Sequence, residues 1–402
     1  MTVRTFAVGG CFLAAVVALV ACGDPTRRSG FKSETEGTDP ANDTKGSGPA
    51  FGGDTPDGGS SCAINNANAN PDEDSDGDGY PLKYDCNECD PNTNMGAHDI
   101  PGNGLDEDCS GTPDDEVMEC DQGLAIDGSD PMDGARAMGI CKTADPNGKE
   151  WGVIEAKWVK PDGSSLTSDL EGVGILEDFG VNLPQIGKTM LALSSGAARG
   201  PNQPGYENPS GHTKGYTSGT PSGYPKESPA CPGVITGTAQ DGAALELRIR
   251  VPSNAKSFKY QQNFFTWEYS GYICSRYNDF YVAMMDPPPA GLADGNIAFD
   301  QDGNPISVNN SLLQVCNPGT YKGKTFTCPL GNSTLEGTGF EGHAATGWLT
   351  TQTDVEPGKE ITLRFAIWDS GDGALDSTVL IDDFSWSAEP GNGTTTLPSV
   401  PK

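Results

Sequence analysis

The sequence is poor in positive charge and poorer still in histidine. Against 56 Asp and Glu stand 25 Lys and Arg, a formal net charge of −31, and there are three histidines, His98, His212 and His343. The shortage of cations argues against nucleic acid or anionic headgroups as partners, because both are held by clustered Lys and Arg. The shortage of imidazole leaves little material for a multi-histidine metal centre. Apolar residues make up only 35 % of the chain, whereas Gly (54) and Pro (31) are plentiful. That balance argues against a helical enzyme and for a loop-rich β protein with disordered parts. Catalytic signatures are missing as well: there is no Gly-x-Ser-x-Gly, His-Glu-x-x-His, Walker loop or Gly-x-Gly-x-x-Gly. Asp382 and Asp383 are adjacent, and neighbours on a strand point to opposite faces, so they do not make the paired carboxylates of glycoside hydrolysis. No enzyme activity is expected.

The chain opens with an apolar run, Phe6 to Ala21, preceded by Arg4. Its length, roughly 24 Å as a helix, falls short of the roughly 30 Å of a bilayer core, so it reads as a secretion signal rather than a permanent span. The run ends Leu19-Val20-Ala21-Cys22, which resembles the bacterial lipobox. That resemblance implies a signal over 1–22 and lipidation of Cys22, which would anchor the protein to a membrane. Gly23 follows where inner-membrane lipoproteins carry a retention Asp, which implies the outer membrane or cell surface. Residues 23–61 are rich in Gly, Ser, Thr, Asp and Pro and are expected to be a disordered tether; 389–402 are expected to be a disordered tail.

Twelve cysteines are present. With Cys11 in the signal and Cys22 reserved for lipid, ten remain, at 62, 86, 89, 109, 120, 141, 231, 274, 316 and 328. An even number in an exported chain predicts disulfides, but spacing alone does not choose among their connectivities. Cys86 and Cys89 have the Cys-x-x-Cys spacing of a zinc half-site, yet no second pair completes it.

Residues 62–141 carry 20 acidic and 2 basic residues, Lys83 and Arg136, with only 14 large apolar or aromatic ones. Burial alone does not hold such a segment together, so cross-links or metal must. The string Asp74-Ser75-Asp76-Gly77-Asp78-Gly79, followed after five residues by Asp85, places oxygens at positions 1, 3, 5 and 12 of a calcium loop, the Tyr80 carbonyl at 7 and glycine at the turn position 6. Asp106-Glu107-Asp108-Cys109-Ser110-Gly111 repeats the opening, with Asp114 and Asp115 following and Val117 at position 12. Asp74, Asp76, Asp78, Tyr80 and Asp85, together with Asp106, Asp108 and Asp114, are therefore the candidate ligands of structural calcium. Asp at position 12 resembles dockerin and thrombospondin type 3 loops, and residues 72–116 together resemble the metal-binding repeats of myxobacterial surface proteins.

From Trp151 onward the pattern is that of short strands. Leu245, Leu247, Ile249 and Val251 alternate with polar residues, as do Ile361, Leu363, Phe365 and Ile367. Period two predicts half-buried antiparallel strands. Further strands are expected at 151–158, 258–269, 279–286, 347–352 and 378–387, and no long stretch carries a helical apolar stripe. The expected fold is mainly β: a C-terminal sandwich or jelly roll over 150–388, preceded by a small, disulfide-rich, loop-dominated calcium segment. Phe264-Phe265-Thr266-Trp267-Glu268-Tyr269, Tyr277-Asn278-Asp279-Phe280-Tyr281-Val282, Asn296-Ile297-Ala298 and Ile367-Trp368-Asp369-Ser370-Gly371-Asp372, the last running on to Asp376-Ser377-Thr378-Val379 and Ile381-Asp382-Asp383-Phe384, resemble the bacterial choice-of-anchor L family. That resemblance implies an exported β domain with a membrane or wall anchor and no established activity. Asp369, Asp372 and Asp376 form a further candidate calcium cluster, the alternative being acids that cap a turn. The loop 200–233 presents Tyr206, Tyr216 and Tyr224, either to a ligand or to the underlying sheet. Export, anchor, tether and sandwich together suggest a surface module that binds glycan, matrix or protein; a structural envelope component without a ligand is the alternative.

Overall fold

The computed structural model describes residues 70–115, 119–167 and 169–399. The expected signal, the lipobox with Cys22, the tether and Cys62 lie outside the described residues. Strands run in the order β1 (Gly152–Val159), β2 (Val173–Leu176), β3 (Met190–Ser194), β4 (Thr217–Ser218), β5 (Ala239–Arg250), β6 (Ser257–Thr266) and β7 (Phe280–Asp286). They continue with β8 (Gly319–Tyr321), β9 (Lys324–Phe326), β10 (Ala344–Ala345), β11 (Leu349–Asp354), β12 (Glu360–Ser370), β13 (Ser377–Ser387) and β14 (Thr395–Pro398).

Two large antiparallel sheets result, with β8 and β9 as a separate two-stranded hairpin. One has the order β1-β5-β12-β7, with β4 beside β5; the other has the order β14-β11-β6-β13-β3-β2, with β10 beside β6. The alternating strands give the reason for the stacking. In β5, Leu245, Leu247 and Ile249 are buried while Glu246 and Arg248 are half-buried, and β12 repeats this with Leu363 and Phe365 against Thr362 and Arg364. These apolar faces join Phe258, Tyr260 and Phe264 of β6 and Val379 and Ile381 of β13 in one core between the sheets. The fold is the expected β-sandwich.

Both outer faces are also covered. Trp368, Phe280 and Val282 lie under Tyr224, whose ring meets those of Phe280 and Trp368 edge-on at 5.8 Å. Tyr216 donates to the Gly242 carbonyl at 2.8 Å. The tyrosine-bearing loop is therefore packed on the sheet. Phe179, Phe265 and Phe340 form a similar layer on the other sheet.

Helix α1 and strands β2, β3 and β14 depart from expectation. Residues 131–137 form a short helix, α1 (Pro131–Ala137), with Asp130 as N-cap accepting the Met132 N–H at 2.9 Å and proline at its start. Its Gly134, Ala135 and Ala137 are buried, and a Cβ on Gly134 would stand 2.7 Å from Trp158 and 3.0 Å from Leu245, so close packing rather than an apolar stripe holds it. Strands β2 and β3 carry no alternation in the sequence, because every one of their residues is buried. The tail expected to be disordered contributes β14, which pairs with β11 from Leu349↔Pro398 to Gln352↔Thr395. There Thr351 and Thr396 hydroxyls meet at 2.7 Å, a polar contact that hydropathy does not register.

Candidate metal centre

The first acidic loop folds around its own carboxylates. Asp74 accepts the N–H groups of Gly77 at 2.7 Å and Gly79 at 3.0 Å, Asp78 accepts that of Tyr80 at 2.7 Å, and Asp85 accepts that of Asn87 at 2.6 Å. Gly77 and Gly79 have φ of +81° and +93°, a conformation that side chains with a Cβ adopt rarely. The loop thereby turns its acids inward. One oxygen from each of Asp76, Asp78 and Asp85 lies within 4.8 Å of the others, as does one from each of Asp74, Asp76 and Glu88. Glu88 was not among the expected ligands; it enters because its carboxylate reaches back to the Ser75 N–H at 2.6 Å. The Tyr80 side chain is engaged in packing, its hydroxyl donating to the Lys149 carbonyl at 3.0 Å.

These residues fit a hard cation. Asp85 is 4 % exposed, and its Oδ2, like the Oδ2 of Asp76, is buried with no hydrogen-bond donor. A buried carboxylate oxygen without a partner is costly, and two carboxylates about 4 Å apart repel by about 4 kcal/mol at an effective dielectric near 20. Burial first, and then the charges of Asp78, Asp76 and Glu88, push the Asp85 carboxyl up to about 7. Burial likewise raises Asp78, against the pull of the Tyr80 N–H. An all-oxygen set of carboxylates is the chemistry of calcium rather than of zinc or copper.

The second loop reproduces the first in part. Asp106 accepts the Ser110 and Gly111 N–H groups at 3.0 Å, as Asp74 accepts its own glycines, and Asp114 accepts Gly102 at 2.8 Å and Gly104 at 3.1 Å. The acids that converge here are Asp99, Asp108 and Asp115, with oxygens within 4.8 Å of one another. Of the expected ligands only Asp108 is in that triad; Asp106 and Asp114 are turned to backbone donors. Asp99 also holds the loop, accepting from the Glu107 N–H at 2.8 Å and the Asp108 N–H at 3.1 Å. Lys142 pairs with Asp108 at 2.9 Å.

A disulfide ties the two loops to each other, and side-chain hydrogen bonds fix them to the sandwich. Cys86 pairs with Cys109 and Cys120 with Cys141, while Cys231–Cys274 and Cys316–Cys328 staple the sandwich loops. Cys89 is disulfide-bonded too, so the Cys86-x-x-Cys89 pair holds no zinc. Asn94 donates to Asp78 at 2.6 Å and accepts from the Ser253 hydroxyl at 2.7 Å. Asn254 accepts the His98 N–H at 3.0 Å and donates to the His98 carbonyl at 2.8 Å. Beside the second triad lies a cavity of about 350 Å³ whose walls include His98, Lys142, Trp151, Phe384 and Trp386.

Asp369 and Asp376 sit elsewhere, at one end of the sandwich, and are 2 % exposed each, whereas Asp372 lies on the surface. Two acids that local spacing did not single out accompany them, Glu268 and Asp279, at 1 % and 0 % exposure. Burial pushes Asp369 up to about 7 and Asp376 up to about 8. Asp382 and Asp383 are structural: the first accepts the Ile186 N–H at 3.3 Å, the second the Gln261 amide at 2.5 Å. The sequence profile of the Choice-of-anchor L domain matches residues 162–387. No curated protein matches the chain.

Proposed function

The chain belongs to the choice-of-anchor L domain family, and on that premise we propose that it is a lipid-anchored cell-envelope protein, stiffened by calcium, whose sandwich binds glycan, matrix or protein at the cell surface. The family and the disulfides accord with an exported surface protein, and the family is not an enzyme family. The observation that carries the calcium reading is the buried, donorless Oδ2 of Asp76 and Asp85 within a group of carboxylates already drawn together. Asp74, Asp76, Asp78, Asp85 and Glu88 would hold one part of the segment, and Asp99, Asp108 and Asp115 the other. The ion supplies fixed positive charge that cancels their repulsion, so that segment and sandwich stay docked through Asn94–Ser253 and His98–Asn254. Trp386, half-buried in the wall of the adjoining cavity, offers an aromatic surface suited to a sugar, backed by the buried Trp151 and Phe384.

Fractionating cells that express the full chain tests the anchor: the protein partitions with membranes, and Cys22→Ser releases it. Soluble protein in both cases removes the lipid reading. A glycan array probed with the full chain in calcium and in EDTA tests the ligand. Saturable, calcium-dependent binding supports it, whereas blank arrays together with blank surface pull-downs leave a structural envelope component.

A further inference from the structure

The two acidic groups of the segment differ in how much of an ion they enclose. In the first loop Asp74, Asp76, Asp78, Asp85 and Glu88 form two overlapping threes that share Asp76. The second group has Asp99, Asp108 and Asp115, and Val117 occupies the closing position of its motif. Calcium takes about six to eight oxygens, so three carboxylates leave about half of its shell to other oxygens. All three acids line the cavity of about 350 Å³, a volume within the ~300–1,000 Å³ range of ligand pockets. Asp99 is 1 % exposed and Asp115 is open to solvent, so the group reaches from the interior to the surface. An ion here resembles the metal of an open site rather than that of a closed structural one.

The rest of the wall supplies polar atoms without partners and an aromatic surface. Ser385 lines the cavity, and its hydroxyl oxygen is buried with no hydrogen-bond partner. His98 is 5 % exposed, and Asn254 orients its ring. The Asn254 amide nitrogen donates to the His98 carbonyl at 2.8 Å, so the amide oxygen, 2.7 Å from His98 Nδ1, accepts the Nδ1 proton. In the neutral ring Nε2 then carries the lone pair, and no described residue hydrogen-bonds to it. Trp386 is half-buried, with Trp151 edge-on behind it at 6.4 Å. Lys142 is the one Lys or Arg of the wall among the described residues, its ammonium 2.9 Å from Asp108 and 5.1 Å over the Trp151 ring. Three carboxylates are balanced by this ammonium and one divalent ion, so no surplus positive charge is left for a carboxylate or phosphate. The Cys86–Cys109 and Cys120–Cys141 bonds hold the chain next to Asp108 and Lys142, which sets the wall before a ligand arrives.

We propose that the ion held by Asp99, Asp108 and Asp115 binds ligand directly: its open positions take a pair of vicinal hydroxyls from a neutral sugar residue, whose ring lies against Trp386 and whose other hydroxyls donate to Ser385 and His98. The assignment rests on the calcium and glycan reading above and adds to it which ion meets the ligand and which sugars qualify, those with a free vicinal diol and no acid group. The ion of the first loop, with more carboxylates around it, keeps a structural role.

Calorimetric titration of the full chain with the methyl glycosides of mannose, fucose, galactose and glucose, and with methyl glucuronide as the acidic control, is the first test. In calcium at least one neutral glycoside is expected to bind and the glucuronide not, and Asp115→Asn is expected to weaken that binding about tenfold or more. The second test reads the ion itself. Terbium in the site is sensitised through Trp151, which lines the same cavity; bound water shortens terbium emission, so a sugar that replaces that water lengthens the lifetime. A sugar that binds Asp115→Asn as tightly as the parent, or that saturates the parent without changing the terbium lifetime, overturns the ion bridge and leaves the glycan reading standing. Binding of the glucuronide in preference to the neutral glycosides overturns the sugar class. Binding of none of these glycosides overturns the inference too, and the glycan array then decides whether the glycan reading falls with it. Should Asp115→Asn fail to fold by circular dichroism, the lifetime measured on the parent chain decides alone.

Discussion

Replacing Asp85 with asparagine separates the cost of its charge from the value of its hydrogen bond. Asparagine keeps an oxygen for the Asn87 N–H, which Asp85 accepts at 2.6 Å, but carries no charge into the cluster. Burial, then the neighbouring acids, raise the Asp85 carboxyl from 3.8 to about 7 in the ion-free fold. At about 1.4 kcal/mol per pH unit, that gap places an upper limit of about 4 kcal/mol on the cost of ionising Asp85 above pH 7, and water reaching the exposed side of the loop brings it nearer to about 2 kcal/mol. The sign follows from linkage. A carboxyl whose folded value lies above its unfolded one binds its proton more tightly in the fold, so ion-free stability is fully present below about pH 4 and is lost as pH rises through about 7. At pH 8 in EDTA, Asp85→Asn is therefore expected to stabilise the segment, raising its melting temperature by a few degrees. In excess calcium the order reverses, because a ligand charge is gone and affinity falls about tenfold or more. Differential scanning fluorimetry, with amide exchange over 74–89 as the local readout, would show the two curves crossing between conditions. A variant less stable than the parent in both EDTA and calcium refutes the reasoning, and shows Asp85 to be an ordinary capping acid.

Three other substitutions probe the packing. Gly134→Leu pushes atoms into Trp158 and Leu245 and is expected to cost about 1–3 kcal/mol in denaturant unfolding; no change would mean that α1 is free to move away from the core. Removing the Cys120–Cys141 bond, which closes a loop of sequence separation 21 around α1, by replacing both with serine should lower stability by about 3 kcal/mol on the chain-entropy account, read as a lower urea midpoint. Tyr224→Ala strips the cover from Phe280 and Trp368 and should open the 200–233 loop to limited proteolysis; unchanged cleavage with lost ligand binding would favour the contact role for that loop instead.

How much of this was readable in the linear sequence depended on whether the relevant residues were close along it. Strands β5 and β12 announce themselves because their outward residues, Glu246, Arg248, Thr362 and Arg364, remain partly solvated and keep the alternation visible. Strands β2 and β3 have no such solvated row, being covered on both faces. Helix α1 has small residues where a stripe would be, since its job is to let Trp158 come close.

The acidic clusters follow the same rule. Asp74, Asp76, Asp78 and Asp85 come from one loop, so their spacing alone draws their geometry. The second triad draws Asp99 from before the repeated motif and Asp115 from after it, and the Cys86–Cys109 bridge brings one loop against the other. Asp106 and Asp114 accept backbone N–H groups, and with Val117 at the closing position the second loop has no terminal carboxylate, so its middle acid lies with Asp99 and Asp115. The interior acids of the sandwich are the extreme case. Glu268, Asp279, Asp369 and Asp376 span more than a hundred residues of chain, and Asp279 reaches Ser370 and Ser377 only because the fold brings β7, β12 and β13 together. The burial of acids that far apart in sequence follows from the register of the strands that carry them and not from any local spacing.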